Sequence, residues 1–332
     1  MKFWINYLDL EKLPLSNTKL ILQYREELNK RLMEIYPSGP QSLTGPIHYV
    51  LHGSGKRLRP LLTIFTAQAC NGTKEDALPT ALAVEILHNF TLVHDDIMDQ
   101  DLIRHGKETV HQKWDDGVAI LTGNAMLSLA LELIYHSPSA QHKLMKIFIE
   151  GLLAVCEGQA LDKEFEIQQS VSIEDYIQMI DMKTGYMIGL SAHIGAISAG
   201  ADDATSKTVR DYGRLLGRAF QIQDDYLEIF SDSKNMGKSL KSDIMRTKKT
   251  FLMINALEKN DGMIKTIMNT VRVDFEKGME AMRDYMQSVG IKDNALREIS
   301  NIIALADAKL SQLDINKDKL LYFSKLIMRR GY

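Results

Sequence analysis

What most limits the fold of this chain is how rarely it is interrupted. Over 332 residues it carries 7 prolines and 21 glycines, and these fall between periodic stretches instead of recurring at strand-like intervals. Few breakers mean long elements. Leu144, Ile147, Phe148, Leu152 and Val155 recur at spacings of three and four, which lines one face of a helix, and residues 80–94, 118–135, 174–198 and 205–230 are patterned alike. Sustained period-two alternation is hard to find. Residues 37–46 and 53–60, Asn71-Gly72-Thr73 and Ser231 to Gly237 read as connections, and neither an internal repeat nor a low-complexity linker divides the chain. The expectation is an all-α fold, one domain over residues 1–332, with about a dozen helices from ordinary helix and loop lengths.

Charge and cysteine usage exclude several function classes. The 40 basic and 43 acidic side chains leave a net charge of −3, which argues against a broad nucleic-acid-binding surface. Cys70 and Cys156 sit at no metal-ligand spacing and read as small buried apolar groups in a reducing compartment. At the N-terminus, Asp9 and Glu11 arrive before any apolar run long enough for a secretion signal. The most apolar run, Val118 to Tyr135, is broken by Thr122, Asn124, Ser128 and Glu132, so it reads as a helix buried in protein and not in lipid. A cytoplasmic protein with no membrane span is expected.

Two acidic clusters carry the chemistry. Asp95-Asp96-Ile97-Met98-Asp99 ends an apolar helical stretch, and Asp95 and Asp99 lie one turn apart on the same face. Like charges so placed repel, and Mg²⁺ compensates them naturally because it accepts carboxylate and phosphate oxygens together. Alone, the cluster also admits the reading of a solvated acidic helix end. Asp224-Asp225-Tyr226-Leu227-Glu228 repeats the arrangement at the end of a second long helical stretch. Facing each other across a bundle, the two would clamp a diphosphate through several Mg²⁺ ions.

Basic residues supply the complementary charge. Gly53-Ser54-Gly55-Lys56-Arg57-Leu58-Arg59-Pro60 places three cations on a loop leading into a helix, which suits phosphate binding without Walker spacing, although a solvated basic turn has the same composition. Arg104-His105-Gly106-Lys107, Lys183-Thr184-Gly185, Lys238 and Lys248-Lys249-Thr250 extend the pattern.

In this order the motifs resemble those of the trans-isoprenyl diphosphate synthases, the head-to-tail prenyltransferases, from about Gly53 to Ala256. GSGKRLRP is similar to the family's GGKRxRP; LVHDDIMDQDLIRHGKETVH, KTG and FQIQDDYLE are similar to its first aspartate-rich, lysine and second aspartate-rich motifs. The resemblance implies the isoprenoid synthase fold around a deep central cavity, usually as a homodimer, acting on isopentenyl and allylic diphosphates with up to three Mg²⁺ ions. It implies that Asp95 and Asp99 ligate two ions and Asp224 a third, with Asp96, Asp225 and Glu228 as additional or water-mediated ligands. Lys56, Arg59 and His88 would hold isopentenyl diphosphate, with His105 where a second arginine is usual. Arg104, Lys183, Thr184, Gln221, Lys238 and Lys248 would contact the allylic diphosphate or its metals, with Lys183, Thr184 and Gln221 nearest the chemistry.

Departures and product length complete the reading. Glu228 stands where aspartate is frequent and keeps a carboxylate; Asn124 follows Gly123 where aspartate is common and reads as a helix-packing residue. Phe90, five residues before Asp95 and roughly 7.5 Å along a helix axis, is placed to floor the cavity beside the small Thr91. That pattern resembles the archaeal-type geranylgeranyl diphosphate synthases and implies a C20 product, with C15 or C25 as neighbours. Two rivals share features. Asn235, Ser239 and Asp243 match the spacing of the second metal motif of class I terpene cyclases, though Gly237 lies inside it, and a non-catalytic subunit dependent on a partner would accommodate His105 and Asn124. His94, Trp4 and Trp114 read as packing residues, and Arg329-Arg330 as a solvated tail.

Overall fold

The computed structural model describes residues 15–53, 55–231, 248–259 and 262–328. Helices α1 (Leu15–Glu34), α2 (Gln41–Leu51) and α3 (Leu58–Ala69) lead into the long helix α4 (Lys74–Met98). Thr73 starts α4 with a reciprocal cap: its hydroxyl accepts from the Asp76 amide while the Asp76 carboxylate accepts from the Thr73 amide. A hairpin of β1 (Ile103–Arg104) and β2 (Lys107–Glu108) follows, then α5 (Val110–Lys113), α6 (Asp116–Tyr135), α7 (Gln141–Ile167) and α8 (Ile173–Ile180). A π-helical turn, Asp181–Gly185, runs from α8 into α9 (Tyr186–Ser198). Then come α10 (Asp203–Phe230), α11 (Phe251–Glu258), α12 (Met263–Val273), α13 (Phe275–Ser288), α14 (Ile291–Ser311) and α15 (Asp318–Met328).

Helix α9 is the axis of the bundle. From Met187 to Ser198 all its residues are buried, as expected of a helix that is apolar around its whole circumference, and α3, α4, α7 and α10 pack about it. Close approach is bought by small residues: a Cβ on Gly217 of α10 would lie 2.6 Å from Gly185 Cα. A single apolar cluster extends from Ile21 to Phe323, so the helices that carry the two acidic motifs, α4 and α10, share one core.

The structure revises four expectations. Residues 37–46 are not all connection, because α2 begins at Gln41 and tolerates Pro46 at the cost of one backbone hydrogen bond. The all-α chain contains a two-residue-strand hairpin, whose turn residues His105 (φ 50°) and Gly106 (φ 76°) both adopt the left-handed region that tight hairpins need. Cys70 is half-buried and Cys156 exposed, so the buried-thiol reading fails for both. Helix α6 is long and apolar enough to cross a membrane, yet only 33% of that stretch is buried. Ile120, Leu121 and Tyr135 are exposed on it, and Asn124 is exposed instead of packed.

Candidate active site

The last turn of α4 divides its acids. Asp95 and Asp99 share one face, where Lys163 Nζ of α7 reaches Asp99 at 3.0 Å and Glu166 at 2.8 Å. Burial raises the Asp95 carboxyl, Lys183 pulls it down, and Asp99 raises it further. Asp96 instead points toward the hairpin and accepts from Arg104 Nε at 2.5 Å. Its carboxyl is pushed up to about 7 by burial against the pull of that guanidinium. Asp96 is therefore an ion-pair partner of Arg104, on a different side of α4 from Asp95 and Asp99.

Between α4 and α10 stands a second charged group. Lys183 Nζ donates to Asp162 Oδ2 of α7 at 2.7 Å, and Lys248 Nζ approaches the same oxygen to 3.8 Å. Burial works to raise Asp162, but the two lysines overcome it and hold its carboxyl below the usual range. The next residue, Thr184, donates to Gln221 Oε1 at 3.0 Å, and Gln221 Nε2 donates to Asp225 Oδ1 at 3.1 Å. Asp225 Oδ2 accepts from the Tyr176 hydroxyl at 2.6 Å and from the Phe251 amide at 3.0 Å. With both oxygens engaged and burial raising its carboxyl to about 6, Asp225 anchors α10 to α8 and α11. Asp224 and Glu228, one turn apart, form the other stripe of the motif.

The basic loop also divides. Arg57, in left-handed backbone (φ 53°), turns inward: Nη1 meets Glu85 at 2.7 Å, Nε meets Asn29 at 2.9 Å, and Nη2 meets the carbonyls of Leu51 and Gly53. Lys56 and Arg59 flank it at half-buried positions. Arg59 Nη1 lies 3.1 Å from His88 Nε2. Desolvation, then the charges of Arg59, Arg104, His105 and Arg57, hold His88 well below its ordinary pKa. Since a guanidinium only donates, Nε2 accepts and the neutral ring keeps its proton on Nδ1. His105 stands at the exposed hairpin tip, where desolvation of its ring and then Arg104 and Lys56 lower its pKa. These shared influences place Lys56, Arg59, His88, Arg104 and His105 in one neighbourhood.

Upstream on α4, Phe90 is buried with its ring edge-on to His94, centroids 4.7 Å apart, while the Thr91 hydroxyl donates to its own helix at the His88 carbonyl. His94 fills a notch that glycine makes: a Cβ on Gly123 would lie 2.2 Å from its Nε2. Lys238, Asn235, Ser239, Asp243, Trp4 and Arg329-Arg330 fall outside the described residues. Sequence reasoning missed Asp162, Lys163, Tyr176 and the Arg57–Glu85 pair. It also missed Gln159, a buried amide on α7 one turn before Asp162, neither of whose polar atoms has a hydrogen-bond partner.

The donor set suits a hard dication. Among the described residues no three acid, histidine or cysteine side chains converge on one metal position. The available ligands are carboxylate pairs on α4 and α10, which complete a Mg²⁺ shell only together with water and phosphate oxygens. Asp95 and Asp99 on α4 and Asp224 with Glu228 on α10 are the side chains that fit.

Known proteins resemble the chain over most of its length. A geranylgeranyl diphosphate synthase from Methanosarcina mazei is 35% identical over 285 residues, 85% of this chain and 84% of its own. A geranylfarnesyl diphosphate synthase from Aeropyrum pernix is 37% identical over 236 residues, 69% of this chain and 74% of its own. The crystal structure of a geranylgeranyl pyrophosphate synthase superposes with a TM-score of 0.87 at 37% identity, covering 94% of this chain and 99% of that one. The polyprenyl synthetase profile matches residues 40–288, and with acids, lysines and basic loop arranged as above, the chain belongs to the polyprenyl synthetase family.

Proposed function

We propose that the protein is a Mg²⁺-dependent prenyltransferase that condenses isopentenyl diphosphate with C5 to C15 allylic diphosphates to make geranylgeranyl diphosphate. The observation that carries this is the contact path between the two acidic faces. The charges of Lys183 and Asp162 bear on Asp95, and Thr184, next to Lys183, bonds Gln221, one turn from Asp224. A polyanion on that path meets cations from α9's entry turn and acids able to share metal.

Bound Mg²⁺ neutralises charge that accumulates on a departing diphosphate. The residues supply the rest. Lys183, Thr184, Arg104 and Lys248, joined by Lys238, hold the allylic diphosphate, and donors fixed before the reaction stabilise charge without reorganising. Lys56, Arg59 and neutral His88, donating through Nδ1, hold isopentenyl diphosphate so that its double bond lies beside the allylic carbon. The chain needs no nucleophile of its own: the double bond attacks the allylic cation, and a proton is lost to the leaving diphosphate. The buried walls exclude water that would quench the cation to an alcohol.

Mass spectrometry of products from the purified chain with Mg²⁺, isopentenyl diphosphate and, separately, C5, C10 and C15 starters tests the proposal. A C20 diphosphate from all three is expected. No elongation, with substrates still bound, would favour the cyclase or the partner-dependent subunit. Relatives named geranylgeranyl diphosphate synthase favour C20 over the C25 of the geranylfarnesyl synthases, and Phe90 is the residue that would set that length. Phe90→Ala is expected to shift the main product to C25 or longer in the same assay, and an unchanged distribution would reject the ring as the floor.

His105 gives a pH signature. Its lowered pKa leaves the ring neutral at pH 7 and above, and charge returns as pH falls. Expressed as a ratio to His105→Arg, the wild-type isopentenyl diphosphate KM is expected to be largest at pH 8 and to fall as pH is lowered. The ratio cancels titration of the substrate itself.

The proposal includes a homodimer. The exposed apolar residues of α6, Ile120 and Leu121, and of α7, Ile149 and Leu153, form faces interrupted by Asn124, Ser128 and Glu132, which suit a second copy better than lipid. Sedimentation velocity at two concentrations distinguishes the states. Both substrates are water-soluble anions, in keeping with a single-domain cytoplasmic enzyme.

A further inference from the structure

The turn that presents Lys183 and Thr184 is not an α-turn. Within Asp181–Gly185 the Tyr186 amide bonds back to the Asp181 carbonyl, five residues earlier, so one extra residue is accommodated in a continuous helix. Relaxation to regular α-helix would rotate residues on one side by about 100° relative to the other. Lys183 could then no longer face Asp162 while Thr184 faces Gln221.

A buried ion cluster sits at the start of this turn. Asp181, 5% exposed, accepts from Arg218 Nε at 2.9 Å and from both Nε and Nη2 of Arg214, two arginines one turn apart on α10. The Arg214 guanidinium lies over the Tyr186 ring at 4.1 Å, just beyond the turn. Burial works to raise the Asp181 carboxyl, and the hydrogen bonds from Arg214 and Arg218 overcome it. Backbone contact closes the other sides. A Cβ on Gly158 of α7 would lie 2.4 Å from Lys183 N, and one on Gly217 would strike Gly185. The turn is therefore gripped between α7 and α10, and its only charged tie to α10 among the described residues is Asp181.

We propose that Asp181 is a positioning residue: paired with Arg214 and Arg218, it holds the π turn in the register that aims Lys183 and Thr184 at the allylic diphosphate. Arg218 lies three residues before Gln221 on α10, so the same tie fixes the lysine-bearing turn against the helix of the second acidic motif. Removing the carboxylate leaves two like charges one turn apart without the counterion they share, which favours slippage of the turn. This inference rests on the reading of Lys183 and Thr184 as allylic diphosphate contacts.

The test measures KM for both substrates and kcat in Asp181→Asn, Arg218→Lys and Lys183→Ala, with a thermal midpoint for each. Misplacing a binding group by about 1 Å costs up to about 100-fold, so Asp181→Asn is expected to lower kcat over allylic KM by about 10- to 100-fold. Its isopentenyl diphosphate KM should stay within about twofold, since the Arg57 loop is held by other elements. Arg218→Lys, which keeps a cation and leaves Arg214 in place but loses the Nε bond to Asp181, should keep kcat and raise the allylic KM only several-fold. If Asp181→Asn does not fold, a several-fold rise in allylic KM alone for Arg218→Lys supports the clamp and an unchanged value overturns it. Wild-type allylic kinetics in Asp181→Asn, or equal changes in both KM values with a lowered midpoint, overturn the proposal while leaving the site intact if Lys183→Ala still raises the allylic KM. An unchanged kcat and allylic KM in Lys183→Ala overturn the site reading, and with it the purpose given to the clamp.

Discussion

Lys183→Ala is expected to lower kcat by about 10²- to 10³-fold, the usual cost of removing one preorganised donor from a site where negative charge develops. The ammonium is held 2.7 Å from Asp162, so it is fixed before substrate arrives. The same substitution has a structural cost, because Asp162 is buried and loses its nearest cation. Breaking such a pair costs about 3–5 kcal/mol when nothing replaces the partner. Lys248 at 3.8 Å remains, which places the loss at the lower end of that range. The two effects separate in Lys183→Ala/Asp162→Asn: neutralising the buried carboxylate should restore the thermal midpoint while the rate stays low. Recovery of rate together with stability would make Lys183 a structural cation only.

That pair also shows where sequence reasoning stops. Asp95, Asp99 and Asp224 were legible because acids at a spacing of four cannot be explained by packing, and two such clusters explain each other. Asp162-Lys163 near the end of α7 has the composition of an ordinary solvated charge pair, and only the approach of the π turn at Gly158 reveals that Asp162 faces inward. The turn itself leaves no trace in hydrophobic periodicity, since it adds one residue to a stretch that is apolar on every side. Asp96 and Asp225 show what spacing alone cannot resolve. Each adjoins a residue of the paired-acid stripe, yet a helix turns adjacent residues about 100° apart, which delivers one to Arg104 and the other to Tyr176. Helix existence was readable from breaker scarcity, whereas α2 was hidden by Pro46 and the hairpin by its length of two residues per strand.

Arg57→Met is the substitution expected to destabilise the protein most, by about 3–5 kcal/mol, because it strands the buried Glu85 carboxylate. Three lone cations in a glycine-rich loop look interchangeable in sequence, but their surroundings are not. Lys56 and Arg59 remain half-buried, whereas Arg57 is 3% exposed and spends its guanidinium on α1 through Asn29, on the end of α2 through Leu51 and Gly53, and on α4 through Glu85. It thereby ties three elements to the loop between Lys56 and Arg59. Lysine cannot reproduce that fork, so Arg57→Lys should also destabilise, though less. Removing the counter-charge as well, in Arg57→Met/Glu85→Gln, should return part of the lost stability, since an amide is cheaper to bury than a carboxylate. Its kinetic signature is confined to one substrate: where Arg57→Lys folds, the isopentenyl diphosphate KM should rise by about tenfold as Lys56 and Arg59 lose their fixed spacing, with the allylic KM unchanged. Thermal unfolding with steady-state kinetics at 25 °C checks both halves. Equal shifts in the two KM values would mean that Arg57 supports the whole bundle and not the loop in particular.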